Sequence, residues 1–242
     1  MKLVSRRTWG AKLPKGTYTH LSGTQGVKIH YTGGHVPVGI VKDHEVCGKL
    51  VRQIQAQHMA GAREVPYIDI GYSMIACPHR RVFMGRGPHA LPAANGPDLN
   101  HGHYAVLALV GSQGHTQPTT DLLLGIWDAI DYLRKEGNAG GQIKGHCDGY
   151  STDCPGGPLY KWIKQGAPRP RTTPDDLPTL RPGDTDEHVV MLRKVLKAAN
   201  QSSPFYDPTD ADLVALVTQW KAARKLGGSL EWTSACWRAA GL

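Results

Sequence analysis

Along the first two thirds of the chain, short apolar runs bounded by glycine alternate with longer segments whose apolar residues recur every three or four positions. Gly26-Val27-Lys28-Ile29-His30-Tyr31 and the run from Tyr104 to Val110 are of the first kind and predict buried strands. His44 to Ala60 keeps Val46, Leu50, Val51, Ile54 and His58 in helical register, and Thr120 to Lys135 does so with Leu123, Ile126, Ile130 and Leu133. Strands alternating with helices predict an α/β layer. Gln165 to Gly183 breaks the pattern with five prolines and no periodicity, so it reads as an extended linker. After it, Glu187 to Ala199 and Asp210 to Lys225 are amphipathic patterns without intervening strands, which predicts a small all-α domain. The expected division is 1–166, a linker at 167–182, and 183–242.

Composition adds a sign to this picture. Forty per cent apolar residues over 242 positions suffice for real cores, and 28 basic against 20 acidic residues leave a net charge of +8. That charge favours anionic partners: nucleic acid, acidic lipid, or a teichoic-acid-bearing wall. The cations are spread along the chain without interleaved aromatics, which speaks against a nucleic-acid stripe, and no apolar run could span a bilayer or serve as a signal peptide. A chain made in the cytoplasm, monomeric and not inserted in a membrane, is the expectation. Five cysteines, an odd number in a chain this long, do not suggest a disulfide scaffold.

Candidate chemistry concentrates in two stretches. His30 stands near the end of a strand in KIHYTGG, and His146 and Cys154 lie in GHCDGYSTDCPGG. Two imidazoles and a thiolate are a sound zinc ligand set, and three protein ligands with one open position mark a catalytic rather than a closed site. Taken alone, His30 could equally be a satisfied strand histidine, and Cys154 a packing residue beside Pro155. A structural zinc in a nucleic-acid binder would need a fourth protein ligand, and none is evident.

Seven ordered segments within residues 5 to 165, SRRTWGA, IHYTGG, VRQIQAQHM, DIGYSMI, VFMGRG, HYAVLALVG and HCDGYSTDCPGG, resemble the amidase domain shared by peptidoglycan recognition proteins and phage lysozymes of the amidase type. The resemblance implies a mixed central sheet flanked by helices and one Zn²⁺ held by His30, His146 and Cys154. It implies that a zinc-activated water hydrolyses the amide between N-acetylmuramic acid and L-alanine of peptidoglycan. Tyr72 and Thr152 become the candidate catalytic residues, Tyr72 toward the water or the oxyanion, and Thr152 as a neutral donor at a position some relatives fill with lysine. His58, Gly33, Gly34 and Arg86 become candidate substrate contacts. Without the resemblance, Tyr72 reads as a half-buried strand aromatic and Thr152 as a turn residue. Asp148 and Asp153 could orient ligands or cap a turn, so the general base is open. Many relatives carry a further histidine after the GRG segment; here none of His89, His101 or His103 aligns with it. Relatives lacking the cysteine bind peptidoglycan without cutting it, which is the competing reading.

Cys47 and Cys77 stand where a bridge is conceivable, or where two small buried residues would do as well. Cys147, adjacent to a ligand on a strand, should face away from the metal. From Leu180 onward the chain resembles a diverged three-helix peptidoglycan-binding domain, with a glycine before the first helix, Gln219-Trp220, and Thr233 to Trp237; Arg193 replaces the usual glutamine. A wall hydrolase without a signal peptide fits a phage endolysin released at lysis.

Overall fold

The computed structural model describes residues 1–61, 65–170, 177, 179–185 and 187–242, and divides into two compact units, Met1–Pro170 and Arg171–Leu242. In chain order the first holds β1 (Lys2–Val4), α1 (Arg6–Trp9), β2 (Thr24–Tyr31), β3 (His35–Val36), α2 (His44–Ala60), β4 (Met74–Ala76), β5 (Arg81–Met84), β6 (His103–Ala108), β7 (Gln113–Gly114), α3 (Thr120–Gly137), β8 (Ala139–Gly145) and α4 (Gly157–Lys164). The main sheet runs β1-β5-β4-β6-β2-β8 and is mixed: β4 and β5 are antiparallel and the other pairs parallel. The α/β layer expected from the alternating pattern is therefore present, with a mixed central sheet flanked by helices.

Both long helices begin and end where side chains and backbone dictate. Asp43 caps α2 by accepting the Glu45 amide at 2.8 Å, and Gly61 ends it in the left-handed region. Thr119 caps α3 through the Leu122 amide, and Asn138 at φ +53° stops it two residues beyond the expected Lys135. The two helices cover opposite faces. Val27, Ile29, Tyr104 and Val106 meet Ile126 and Ile130 of α3 on one face, while Ile75, Phe83 and Leu107 meet Val51 and Ile54 of α2 on the other.

The interval expected as an extended linker is packed at both of its ends. The carbonyls of Ala167 and Pro168 accept the indole N–H groups of Trp127 and Trp162 at 3.0 and 2.9 Å, and Arg169 pairs with Asp131. Buried indole donors need acceptors, and these carbonyls supply them. At the other end, Leu177 and Leu180 enter the core of the second unit. Residues 171–176 and 178 of the expected linker lie outside the described residues.

Among its described residues the second unit has three helices, α5 (Glu187–Val195), α6 (Ala211–Ala222) and α7 (Ser234–Ala239). Both longer ones stop short of the expected Ala199 and Lys225, because Lys197 and Lys225 adopt φ of +52° and +55°. Arg193, divergent in the sequence, is buried and ties the end of α5 to the start of α6: it donates to the Ala199 and Phe205 carbonyls and pairs with the α6 cap Asp210 at 3.1 Å. No helix among the described residues is long and apolar enough to cross a membrane.

Candidate metal centre

Neighbouring strands and the turn after them bring the three proposed ligands together. On β2, Val27 and Ile29 face the α3 core, so Lys28 and His30 face the other way. β8 pairs with β2 so that Ile29 lies opposite Gly145, and the His146 amide donates to the Ile29 carbonyl at 3.2 Å. This register sets His146 beside His30, with ring centroids 4.5 Å apart. The turn that follows returns Cys154 to the same place: Cys147 N–H donates to the Cys154 carbonyl, and the Cys154 amide donates to Thr152 Oγ1. One donor atom from each of His30, His146 and Cys154 lies within 4.8 Å of the others.

The donor set fits zinc. His30 Nε2 lies 2.9 Å from Asn95 Oδ1, and the amide orientation of Asn95 is fixed because its Nδ2 donates to the His103 carbonyl at 2.7 Å. His30 is therefore protonated on Nε2, which leaves the Nδ1 lone pair facing Cys154 Sγ at 3.6 Å. Tetrahedral zinc bonded to nitrogen and sulfur at ordinary lengths separates those two ligands by about 3.5 Å. His146 Nε2 is buried and has no hydrogen-bond partner among the described residues, an orphaned acceptor of the kind a cation satisfies. Burial, reinforced by the neighbouring His146, lowers the His30 pKa to about 3, and burial together with the Lys28 charge lowers that of His146 to about 4. Both rings are neutral at physiological pH, as metal ligation requires.

The remaining expected residues surround this centre in distinct ways. The Tyr72 ring meets that of His30 edge-on at 5.3 Å. His58 and Arg86, expected as substrate contacts, each bond the turn before Tyr72. Gly71 N–H donates to His58 Nδ1, and Arg86 Nε and Nη1 donate to the Ile70 and Leu91 carbonyls. These bonds place both side chains beside that turn. Below that turn, buried Asp69 accepts from Tyr18, from Gln55 Nε2 at 2.6 Å and from the Ile70 amide, and pairs with Arg6 at 2.8 Å. Segments far apart in sequence thus converge to brace one tyrosine. Asp148 caps the turn after β8 by accepting the Gly145 amide and the Tyr160 hydroxyl, at 2.7 and 2.8 Å. Asp153 lines an adjoining groove of about 490 Å³ with Tyr31, Ser112, Gln117 and Gly156. Gly33 and Gly34 are not among its lining residues, and their carbonyls instead hold Ser112. Gly156 must be glycine: it sits at φ +82°, and a Cβ there would lie 2.9 Å from the Tyr31 ring.

Two site residues escaped the sequence. Asn95, fully buried, is what the stretch after GRG sends to His30, where many relatives were expected to show a histidine. Lys28, 2% exposed, has an Nζ without a hydrogen-bond partner among the described residues, and burial lowers its pKa while Asp148 partly opposes that. Cys147 does not join the ligand group, as its position on the opposite side of the chain implied.

An α/β sheet carrying a His, His, Cys donor group, its first histidine buried, defines a protein with the makings of a mononuclear metal site. No protein-family model matches the chain. Among known proteins it is similar to peptidoglycan recognition protein 1 of Bos taurus, 29% identical over 169 residues that span 67% of this chain and 83% of that one. The crystal structure of Drosophila peptidoglycan recognition protein SD superposes with a TM-score of 0.60 at 25% identity, covering 68% of this chain and 94% of that one. Drosophila PGRP-LB, also solved as a variant in complex with tracheal cytotoxin, gives 0.57 at 26% identity over 67% and 92% of the two chains. The chain is homologous, at modest identity, to peptidoglycan recognition proteins, and it shares their fold.

Proposed function

We propose that the first unit is a zinc-dependent N-acetylmuramoyl-L-alanine amidase that cuts bacterial peptidoglycan, and that the second holds it on the wall. The observation that carries this reading is the convergence of His30 Nδ1, Cys154 Sγ and the orphaned His146 Nε2, with both imidazoles kept neutral. Zinc held there supplies a Lewis acid for a scissile carbonyl and acidifies a water ligand. The chain's own residues do the rest. Tyr72, braced by His58, Arg86 and the Asp69 network, offers a phenol donor to charge developing on the carbonyl oxygen. Thr152, whose oxygen accepts the Cys154 amide, retains its own hydroxyl proton to donate. Lys28 adds a buried positive charge that favours an anionic transition state over a neutral ground state. The groove beside Asp153 is a candidate seat for part of the substrate, and the similarity to a protein solved with tracheal cytotoxin supports a muropeptide ligand.

In the second unit, a groove of about 380 Å³ lined by Leu216, Gln219 and Trp220 is a candidate seat for a wall polymer. A tethered binder raises the local concentration of an insoluble substrate. Delivery through a membrane lesion at phage lysis is the setting that suits this plan. The test compares wild type with Cys154→Ser for bound zinc and for free N-terminal alanine released from purified peptidoglycan. Loss of both in the variant is expected. Wild type that binds zinc and peptidoglycan yet frees no alanine would overturn the amidase and leave a recognition protein.

A further inference from the structure

A second group of metal-binding side chains lies outside the site described above. His44 is the first residue of α2, Cys47 follows three positions on and so shares its face of the helix, and Cys77 comes directly after β4. One donor atom from each lies within 4.8 Å of the others, with His44 Nδ1 and Cys77 Sγ 3.8 Å apart. All five cysteines are free thiols, and both of these are completely buried among Ile40, Val51, Phe83 and Leu109. The His44 ring stacks on Phe83 at 5.6 Å and meets the His79 ring edge-on at 5.4 Å. His79 in turn lies with Nε2 2.7 Å from the Ile40 carbonyl, an acceptor that fixes the proton on Nε2 and leaves Nδ1 as a lone pair.

We propose that His44, Cys47 and Cys77 hold a second ion of the soft divalent class, zinc foremost, with its fourth position left to a non-protein ligand, which links α2 to the end of β4. Two thiolates neutralise a divalent cation, so the assembled group is uncharged and compatible with the apolar layer around it. A simple disulfide would use the two sulfurs but would leave the imidazole aimed at Cys77 without purpose. Hydrogen bonding from Cys47 and His44 already favours the Cys77 thiolate, bringing its pKa down to about 5, while Cys47 is pushed up as its partner. The link would also steady the helix that presents His58 to the turn before Tyr72.

The experiment empties the first site and asks whether a metal still binds. The full-length chain carrying His146→Ala and Cys154→Ser is titrated with Co²⁺, whose thiolate charge-transfer band and tetrahedral d–d bands report sulfur ligation. Binding of about one equivalent with such a band is expected, because a folded thiolate site retains the ion. Adding Cys47→Ser should abolish the band, and adding His44→Ala, which spares both thiols, should weaken binding roughly tenfold or more. A protein with a native circular dichroism spectrum and no thiolate band would overturn the proposal, whether its thiols titrate as free or its mass reveals a disulfide. Should the emptied protein fail to fold, zinc content of the wild type decides, two equivalents supporting the second site and one overturning it. Failure of the amidase reading would register separately, as absent alanine release from wild type.

Discussion

At the scale of single residues, the site depends on groups whose importance lies in burial. Asn95 sits in AANG, a string any turn could contain, and nothing in its residue type separates it from a surface asparagine. Its full burial between His30 and the His103 carbonyl is what makes it decisive. Asn95→Ala should lower zinc affinity about 10- to 100-fold, measured by competition with a chromophoric chelator, since the ring it orients would lose its fixed tautomer. The proposed ligands stood out in the sequence because histidine and cysteine declare their chemistry by type. Lys28 was not, since a lysine within an apolar strand reads as an interruption. Lys28→Met should leave stability within about 1 kcal/mol of wild type and raise the His146 pKa, followed by NMR titration of the metal-free protein. Both ligand histidines are depressed, to about 3 and about 4, from an ordinary 6.5. The unfolded chain thus binds their protons first, and their contribution to stability is complete above pH 6.5 and is lost as pH falls through the window toward 4. Denaturant midpoints of the metal-free protein should fall over that window, with a shallower slope in His146→Asn.

Among the elements, α2 and α3 were legible almost to the residue because each buries one stripe against a sheet face and is bounded by a side-chain cap. β8 was not. Its sequence, AGGQIKG, has no apolar run, since it is an edge strand with mostly half-exposed or exposed residues. Yet its register with β2 is what delivers His146. Gly26 permits that register, for a Cβ there would lie 2.0 Å from the Gln142 carbonyl oxygen. Gly26→Ala should therefore cost about 1–3 kcal/mol in chemical denaturation and weaken metal retention by displacing β8, an effect a merely local defect would not produce. The boundaries of α5 and α6 were overestimated for a related reason: apolar periodicity continued past residues whose backbone had already turned left-handed.

For the molecule as a whole, the two units have separate cores, the first around the sheet and the second around Trp232 and Trp237. The boundary between the units falls inside the proline-rich interval, whose packed start was not legible because its anchors are backbone carbonyls that any sequence carries. A fragment ending at Pro170 should fold, retain its metal and cleave small soluble muropeptides, while losing retention on sedimented walls. With a net charge of +8, wall binding by the full chain should decline in the same assay as salt rises from about 0.05 to 0.5 M. The order of the ligands along the chain has one more consequence. His30 belongs to an early strand, whereas His146 and Cys154 follow the last one, so a ribosome has made nearly all of the first unit before the donor group exists. Capture of an ion by all three proposed ligands would thus wait until the first unit is nearly complete. Nascent chains arrested before β8 should leave zinc at this centre uncollected, however well their earlier helices have formed.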